Sequence, residues 1–279
     1  MILFKKVAII GIGLIGGSIA KALKQKKLCN QVTGIVHHKE TIQKAIAQNV
    51  IDLGTTDLTV VKDADLVVIA TPVETTIDIA FKIKNYILDK TLVMDVGSTK
   101  LEIVKAFDRA FRKNIEFIGC HPLAGSEKKG VDFSDGGIFN NSIAVLTPYK
   151  NRINAYNFNK IKNLWQSLGA EIKLLTPALH DKIIAKTSAL PHLLSFSLLN
   201  TLPKNYFKFV SSGFRDTTRI GASDPQMWND ILISNKREVV FALEDWQKEI
   251  NKLKKLIQSK NQSHLKKYIS SAKAKRESI

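Results

Sequence analysis

Cysteine is scarce in this chain: there are two, Cys29 and Cys120, far apart and in no CxxC or Cys/His spacing. A disulfide framework or a structural zinc site is therefore not expected, and a reducing compartment such as the cytoplasm fits best. Long apolar runs are missing as well, since no stretch approaches the roughly 18 uninterrupted apolar residues that a membrane helix needs. Lys5 and Lys6 precede a short apolar run, but glycines follow at once and no small-residue cleavage site appears, so no secretory signal is expected. Internal repeats and low-complexity segments are also lacking. Acidic residues are few, 25 against 42 Lys plus Arg, for a net charge of +17. That balance suits an anionic partner. The basic, aromatic-interleaved stripe of a nucleic-acid binder is absent, however, and lysines such as Lys21, Lys24, Lys26 and Lys27 are scattered as solvated charge usually is. The densest run, Lys252, Lys254, Lys255, Lys260, Lys266, Lys267, Lys273 and Lys275, reads as exposed helix and a fraying tail. The expectation is a soluble protein that binds neither nucleic acid nor membrane.

What is present is enough for a core. With 279 residues, 44% hydrophobic, the chain suits two domains. The first half alternates short β-branched runs with helical patterns, the mark of a parallel sheet covered by helices. Strands are expected at 7–10, 32–36, 66–70, 92–96 and 116–118, with 143–146 and 171–175 extending the sheet. Helices are expected at 15–28, about 40–48, up to 81, at 100–111, and between the last two strands. This is a doubly wound, Rossmann-type α/β domain over residues 1–176. At Thr176-Pro177 the character changes, because a capping Thr before Pro starts a helix and no convincing strand follows. Asp224-Pro225 repeats the signal, and 238–257 carries apolar residues at helical spacing. Residues 177–279 are thus expected to form an all-helical domain for substrate binding and dimerisation.

Gly11, Gly13 and Gly16 spell GxGxxG directly after the first strand and at the opening of a helix. In that context the first glycine allows a tight turn, the second lets backbone approach a pyrophosphate, and the third lets helix and strand pack closely. Leu14 and Ile15, between them, offer helix N-terminal N–H groups to the phosphates. A dinucleotide, NAD or NADP, is the cofactor expected. The acidic residue that usually holds the adenosine ribose is missing, since about 20 residues on stand Val36, His37, His38 and Lys39. A phosphate on the ribose would welcome His37 or Lys39, so NADP is expected to be tolerated or slightly preferred.

Polar groups also gather at the predicted carboxyl ends of strands, where open α/β sheets bind ligands. They are Thr71-Pro72, Ser98 in VGSTK, and His121 in GCHPLAGSE. A histidine so placed suits general-base work near neutral pH, although a structural histidine at a strand end would account for the same residue. With these residues the chain resembles the prephenate and arogenate dehydrogenases. The likeness runs through GIGLIGGS, VGSTK, GCHPLAGSEKKGV, LTPALHD, SALPHLL, SSGFRDTTRIGASDP and MWND, in that order over most of the chain.

The resemblance implies an NAD(P)-dependent oxidative decarboxylation of prephenate, or of its amino analogue arogenate, in tyrosine biosynthesis. It implies that His121 accepts the ring-hydroxyl proton while the adjacent carbon gives up its hydride, and that Ser98 steadies histidine and cofactor. Arg219 then holds a substrate carboxylate, a task suited to a two-pronged guanidinium, whereas outside the family argument Arg219 and Asp216 would be a surface ion pair. Glu127 and Asp216 govern access to the site. Thr71 and Pro72 lie beside the cofactor, and no metal is called for. The departure lies in Ser188-Ala189-Leu190-Pro191-His192, where many relatives carry a histidine in place of Ala189. Ser188 and His192 remain for the substrate, with His192 able to touch a pyruvyl side chain or simply to sit in an apolar helix. Prephenate is the expected substrate and a homodimer through the helical domain the expected assembly. The alternatives are another two-domain dehydrogenase with a helical second half, or a non-catalytic NAD(P)-sensing module that would need only the glycine turn.

Overall fold

The computed structural model describes residues 2–278 apart from 90, 114, 126, 127 and 151. It divides into two compact units, Met1–Asn235 and Lys236–Ile279. The first begins with β1 (Phe4–Ile10), α1 (Leu14–Gln25), β2 (Cys29–Ile35), α2 (Lys39–Ala47) and β3 (Leu53–Thr55). It continues through β4 (Leu66–Ile69), α3 (Val73–Ile83), β5 (Leu92–Asp95), α4 (Leu101–Ala110), β6 (Glu116–Pro122), β7 (Ile143–Thr147), α5 (Ala155–Leu168) and β8 (Glu171–Leu174). Four helices complete it: α6 (Pro177–Ile184), α7 (Leu190–Thr201), α8 (Ser212–Thr218) and α9 (Pro225–Ser234).

The eight strands form one sheet in the order β3-β2-β1-β4-β5-β6-β7-β8. β4 and β5 are buried at every residue, as strands covered by helices on both faces must be. From β1 the chain crosses first outward to β2 and β3, then back to β4 on the other side of β1. The loops leaving β1 and β4 therefore diverge, opening a crevice at the carboxyl end of the sheet.

Three features differ from the sequence expectation. β3 is an additional three-residue edge strand paired with β2, too short to show a pattern. The sheet is mixed, because β7 runs antiparallel to β6. Between them lies a 20-residue stretch in which the described residues hold a single 3₁₀ turn, Val131–Phe133, and among them no crossover helix carries the chain back to start a parallel strand. Thirdly, the lysine-rich end is no fraying tail. The second unit is a helical hairpin of α10 (Lys236–Gln258) and α11 (Gln262–Glu277), and α11 starts at Asn261, whose side-chain oxygen accepts from the His264 N–H at 3.1 Å.

The predicted helix starts are present as geometry. Thr176 Oγ1 accepts from Leu179 N at 3.2 Å, and Asp224 Oδ1 from Met227 N at 2.7 Å. Between α6 and α7 the helix widens into one π turn, Ala185–Ala189. Pro191 accounts for it: the ring lacks an N–H and would collide with the carbonyl four residues earlier, a conflict that a wider turn relieves.

Candidate functional site

The glycine turn is built as a cradle. Gly11 has φ +94°, and a Cβ there would meet the Ala70 carbonyl oxygen at 2.5 Å and Thr71 Cγ2 at 3.0 Å. A Cβ on Gly16 would stand 1.9 Å from the Gly11 oxygen, whereas one on Gly13 would meet nothing within 4 Å. Backbone is thus packed tightly behind the turn and open space lies before it. Gly13 caps α1 without a side-chain cap, and the first turn carries no acidic residue. The N–H groups of Leu14 and Ile15 and the positive end of the helix are left for an anion, so these residues fit a dinucleotide pyrophosphate.

Thr71 closes the other side of the crevice. Its hydroxyl lies 2.9 Å from that of Thr76, which donates to the Thr71 carbonyl at 3.0 Å, and Pro72 caps α3. His37, His38 and Lys39 are exposed at the carboxyl end of β2, with His38 capping α2.

His121 and Ser98 stand at the same end of the sheet, on β6 and on the loop after its parallel neighbour β5. His121 pairs across β6–β7 with Val145 and keeps part of its surface exposed. Its Nδ1 lies 2.8 Å from Nε2 of His180, and Nδ1 of His180 lies 2.8 Å from Asp181 Oδ1. His180 is fully buried. The Asp181 carboxylate is held in turn by the N-terminus of α4, accepting from Lys100 N at 2.8 Å and Leu101 N at 2.9 Å. Beneath this chain lies the buried ion pair Asp95–Lys100, whose carboxylate also accepts from Gly97 N at 2.8 Å. Burial pushes the Asp95 carboxyl up while the Lys100 ammonium opposes it. Burial is also the main cause that lowers His121 well below 6.5, with His180 and the Lys100 charge adding to it. His180 is lowered by burial too, partly offset by its bond to Asp181. At neutral pH the His121 ring is therefore uncharged, the state of a base ready to accept.

The helices after residue 176 bring a second group together. Ser188 lies in the π turn, and its carbonyl accepts from His192 Nδ1 at 2.9 Å. His192 stacks on Trp228, ring centroids 3.8 Å apart and 28° between planes. Burial lowers His192 below 6.5, the Ser188 carbonyl works against this, and the Arg219 charge adds to the lowering. His192 is thus half-buried and anchored, with Nε2 left as its acceptor. Arg219 and Asp216 are both exposed at the end of α8, and among the described residues no ion pair joins them. Glu127 lies outside the described residues. Among the described residues no cluster of three His, Cys, Asp or Glu could hold a metal ion.

The residues that sequence reasoning passed over are His180 and Asp181. The signal was present in LTPALHD, where a histidine and an aspartate follow a helix start on an otherwise apolar stretch. Such residues are buried only when paired.

Comparison with known proteins covers most of the chain. The sequence model of the prephenate dehydrogenase nucleotide-binding domain matches residues 19–174, and that of the prephenate dehydrogenase dimerization domain matches 176–271. Prephenate dehydrogenase of Bacillus subtilis is 33% identical over 98% of this chain and 76% of its own. The crystal structure of Aquifex aeolicus prephenate dehydrogenase with hydroxyphenyl propionate and NAD+ is similar with a TM-score of 0.93 and 35% identity, covering 99% of this chain and 98% of that one. Synechocystis arogenate dehydrogenase follows with a TM-score of 0.85 and 27% identity, over 98% and 99% of the two chains.

Proposed function

Because the chain belongs to the prephenate dehydrogenase family and is an NAD(P)-dependent oxidoreductase, we propose that it oxidatively decarboxylates prephenate to 4-hydroxyphenylpyruvate in tyrosine biosynthesis. The observation that carries this reading is His121: an uncharged imidazole at the carboxyl end of the sheet that also holds the glycine turn, with Nδ1 already engaged.

When bound, the nicotinamide supplies a hydride acceptor; the chain's own residues do the rest. His121 takes the proton of the ring hydroxyl as hydride leaves the carbon that bears it, and the O–H electron pair becomes a carbonyl bond. Through the conjugated ring this carbonyl draws in the electrons of the bond to the ring carboxylate, which departs as carbon dioxide. Aromatisation drives the step and leaves a phenolate. The proton held on His121 returns to that oxygen, so the base ends as it began and no net proton is released. Ser98 hydrogen-bonds the hydroxyl region, Arg219 clamps a substrate carboxylate, Ser188 and His192 face the side chain, and Glu127 and Asp216 govern access. We assign the cofactor and substrate-binding parts to residues 1–176 and 177–279.

Two finer assignments belong to this proposal. Prephenate is favoured over arogenate because the Arg219 charge that acts at His192 repels the ammonium group of arogenate and leaves an uncharged pyruvyl keto group unopposed. NADP is tolerated because residues 36–39 bear no carboxylate to repel a ribose phosphate. The test is a spectrophotometric assay of NAD(P)H formation with each substrate and each cofactor. Reduction with prephenate is expected, and turnover with arogenate alone would overturn the substrate assignment. A cytoplasmic location is part of this reading and is supported by two free cysteines; among the described residues no helix is long and apolar enough to cross a membrane.

A further inference from the structure

His121 is only as good a base as the nitrogen that carries its lone pair. An imidazole has two nitrogens, and when it is neutral one donates and one accepts. The contacts of His121 decide between them in a short series of steps. The Asp181 carboxylate can only accept, and three N–H groups converge on it: those of Lys100, Leu101 and the His180 ring. His180 must therefore carry a proton on Nδ1. Being fully buried, with the Lys100 ammonium nearby, His180 resists a second proton. Its Nε2 is then an acceptor. The partner 2.8 Å away, His121 Nδ1, must be the donor, which leaves the lone pair of His121 on Nε2.

We propose that Asp181 and His180 are positioning residues that lock His121 in the tautomer whose basic atom is Nε2. The relay Asp181–His180–His121 thereby aims that atom at the substrate hydroxyl. This rests on the reaction proposed above. The free imidazole otherwise exists as a mixture of both tautomers, and each molecule with its proton on Nε2 would offer the hydroxyl no acceptor. Once Nε2 has taken the hydroxyl proton, the imidazolium keeps its Nδ1–H on His180, with the Asp181 carboxylate behind it. The positive charge so formed is met by oriented acceptors with no rearrangement. The proton then returns from Nε2 to the phenolate oxygen, and the relay is restored. Among the described residues the charged and titratable groups around His121 are His180, Asp181, Lys100 and Asp95; the Lys100 charge, paired with Asp95, opposes an imidazolium at His121, while the relay to the Asp181 carboxylate favours it.

Two measurements on the full chain test this. In ring-¹⁵N histidine spectra, with the His121 signals identified by their loss in His121→Asn, the resting protein is expected to show Nδ1 protonated and Nε2 bare. A spectrum with the proton on Nε2 overturns the proposal without reference to turnover. In kinetics, His180→Phe removes the acceptor and is expected to lower kcat about a hundredfold while leaving the substrate KM within about threefold. His180→Gln, whose amide oxygen can reach the place of Nε2, is expected to regain about tenfold of that loss. Turnover of His180→Phe within about threefold of the parent, with an unchanged tautomer, would also overturn it. Should the parent itself fail to oxidise prephenate, the reaction assignment falls while the spectra still decide the tautomer.

Discussion

His121 and its neighbours show how burial selects a protonation state. A histidine in water is half-charged near pH 6.5, but burial draws His121 well below that and lowers His180 and His192 as well. For catalysis, the base form should persist as pH falls through that value. The low-pH limb of kcat/KM is expected below about pH 6.5, and a limb at or above it would contradict the burial argument. For stability the sign follows from proton counting. Above about pH 7 the three rings are neutral both folded and unfolded and contribute nothing. As pH falls through the unfolded value, the unfolded chain binds protons that the folded chain does not, so stability is lost. The thermal midpoint should therefore be lower at about pH 5.5 than at about pH 7.5, a window above the titration of ordinary carboxylates. An equal or higher midpoint at the acid end would rule this out. Replacing the base gives the sharpest kinetic effect: His121→Asn is expected to lower kcat by about a thousandfold with little change in substrate binding. Near-normal turnover would remove His121 from the base role.

At the scale of elements, function depends on how one element ends against another. The β1–α1 turn is the clearest case, since the Gly16 Cα hydrogen already faces the Gly11 carbonyl and a methyl would have to stand 1.9 Å from that oxygen. Gly16→Ala is expected to displace the turn and weaken dinucleotide binding by about a hundredfold or more, measured by titration of the protein's fluorescence with NAD(P)H. Unaltered affinity would show that the turn has slack that the backbone spacing denies. The junction of α4 with α6 works differently. Asp181 supplies the acceptor that the N-terminus of α4 lacks and at the same time holds His180. Removing a carboxylate that serves buried donors costs about 1–3 kcal/mol for each donor left unpaired, which joins stability and catalysis in one side chain.

On the scale of the whole molecule, α7 stands out. Its residues include Leu193, Leu194, Phe196, Leu198 and Leu199, with apolar side chains around much of the helix, yet Ser195 alone is buried. An apolar helix left so open is a surface awaiting cover, and we propose that a second copy of the chain supplies it. Sedimentation is expected to give a dimer, and Leu198→Glu, at an exposed position, to shift it toward monomer. A parent chain that sediments as a stable monomer at micromolar concentration would overturn this assembly.

How far the sequence could be followed depended on the range of the physics involved. The alternation of β-branched runs with helical periods, the GxGxxG at a strand end, and the Thr-Pro and Asp-Pro helix starts are local patterns, set within a turn or two of chain. All three were legible in the letters alone, and so were Ser98 and His121 as polar residues closing neighbouring strands. The direction of β7 was not, because antiparallel pairing depends on whether a connecting segment folds into a helix of its own. Nor was the partner of His121, which lies 59 residues away in the chain. What sequence by itself determined was the existence of the sheet and most of its strands, the phosphate cradle and the kinds of group available for chemistry. Only the tertiary structure decided which nitrogen of which histidine is free to act, because a tautomer is set by contacts in space, and those form when α6 packs its His180-Asp181 pair between β6 and the start of α4.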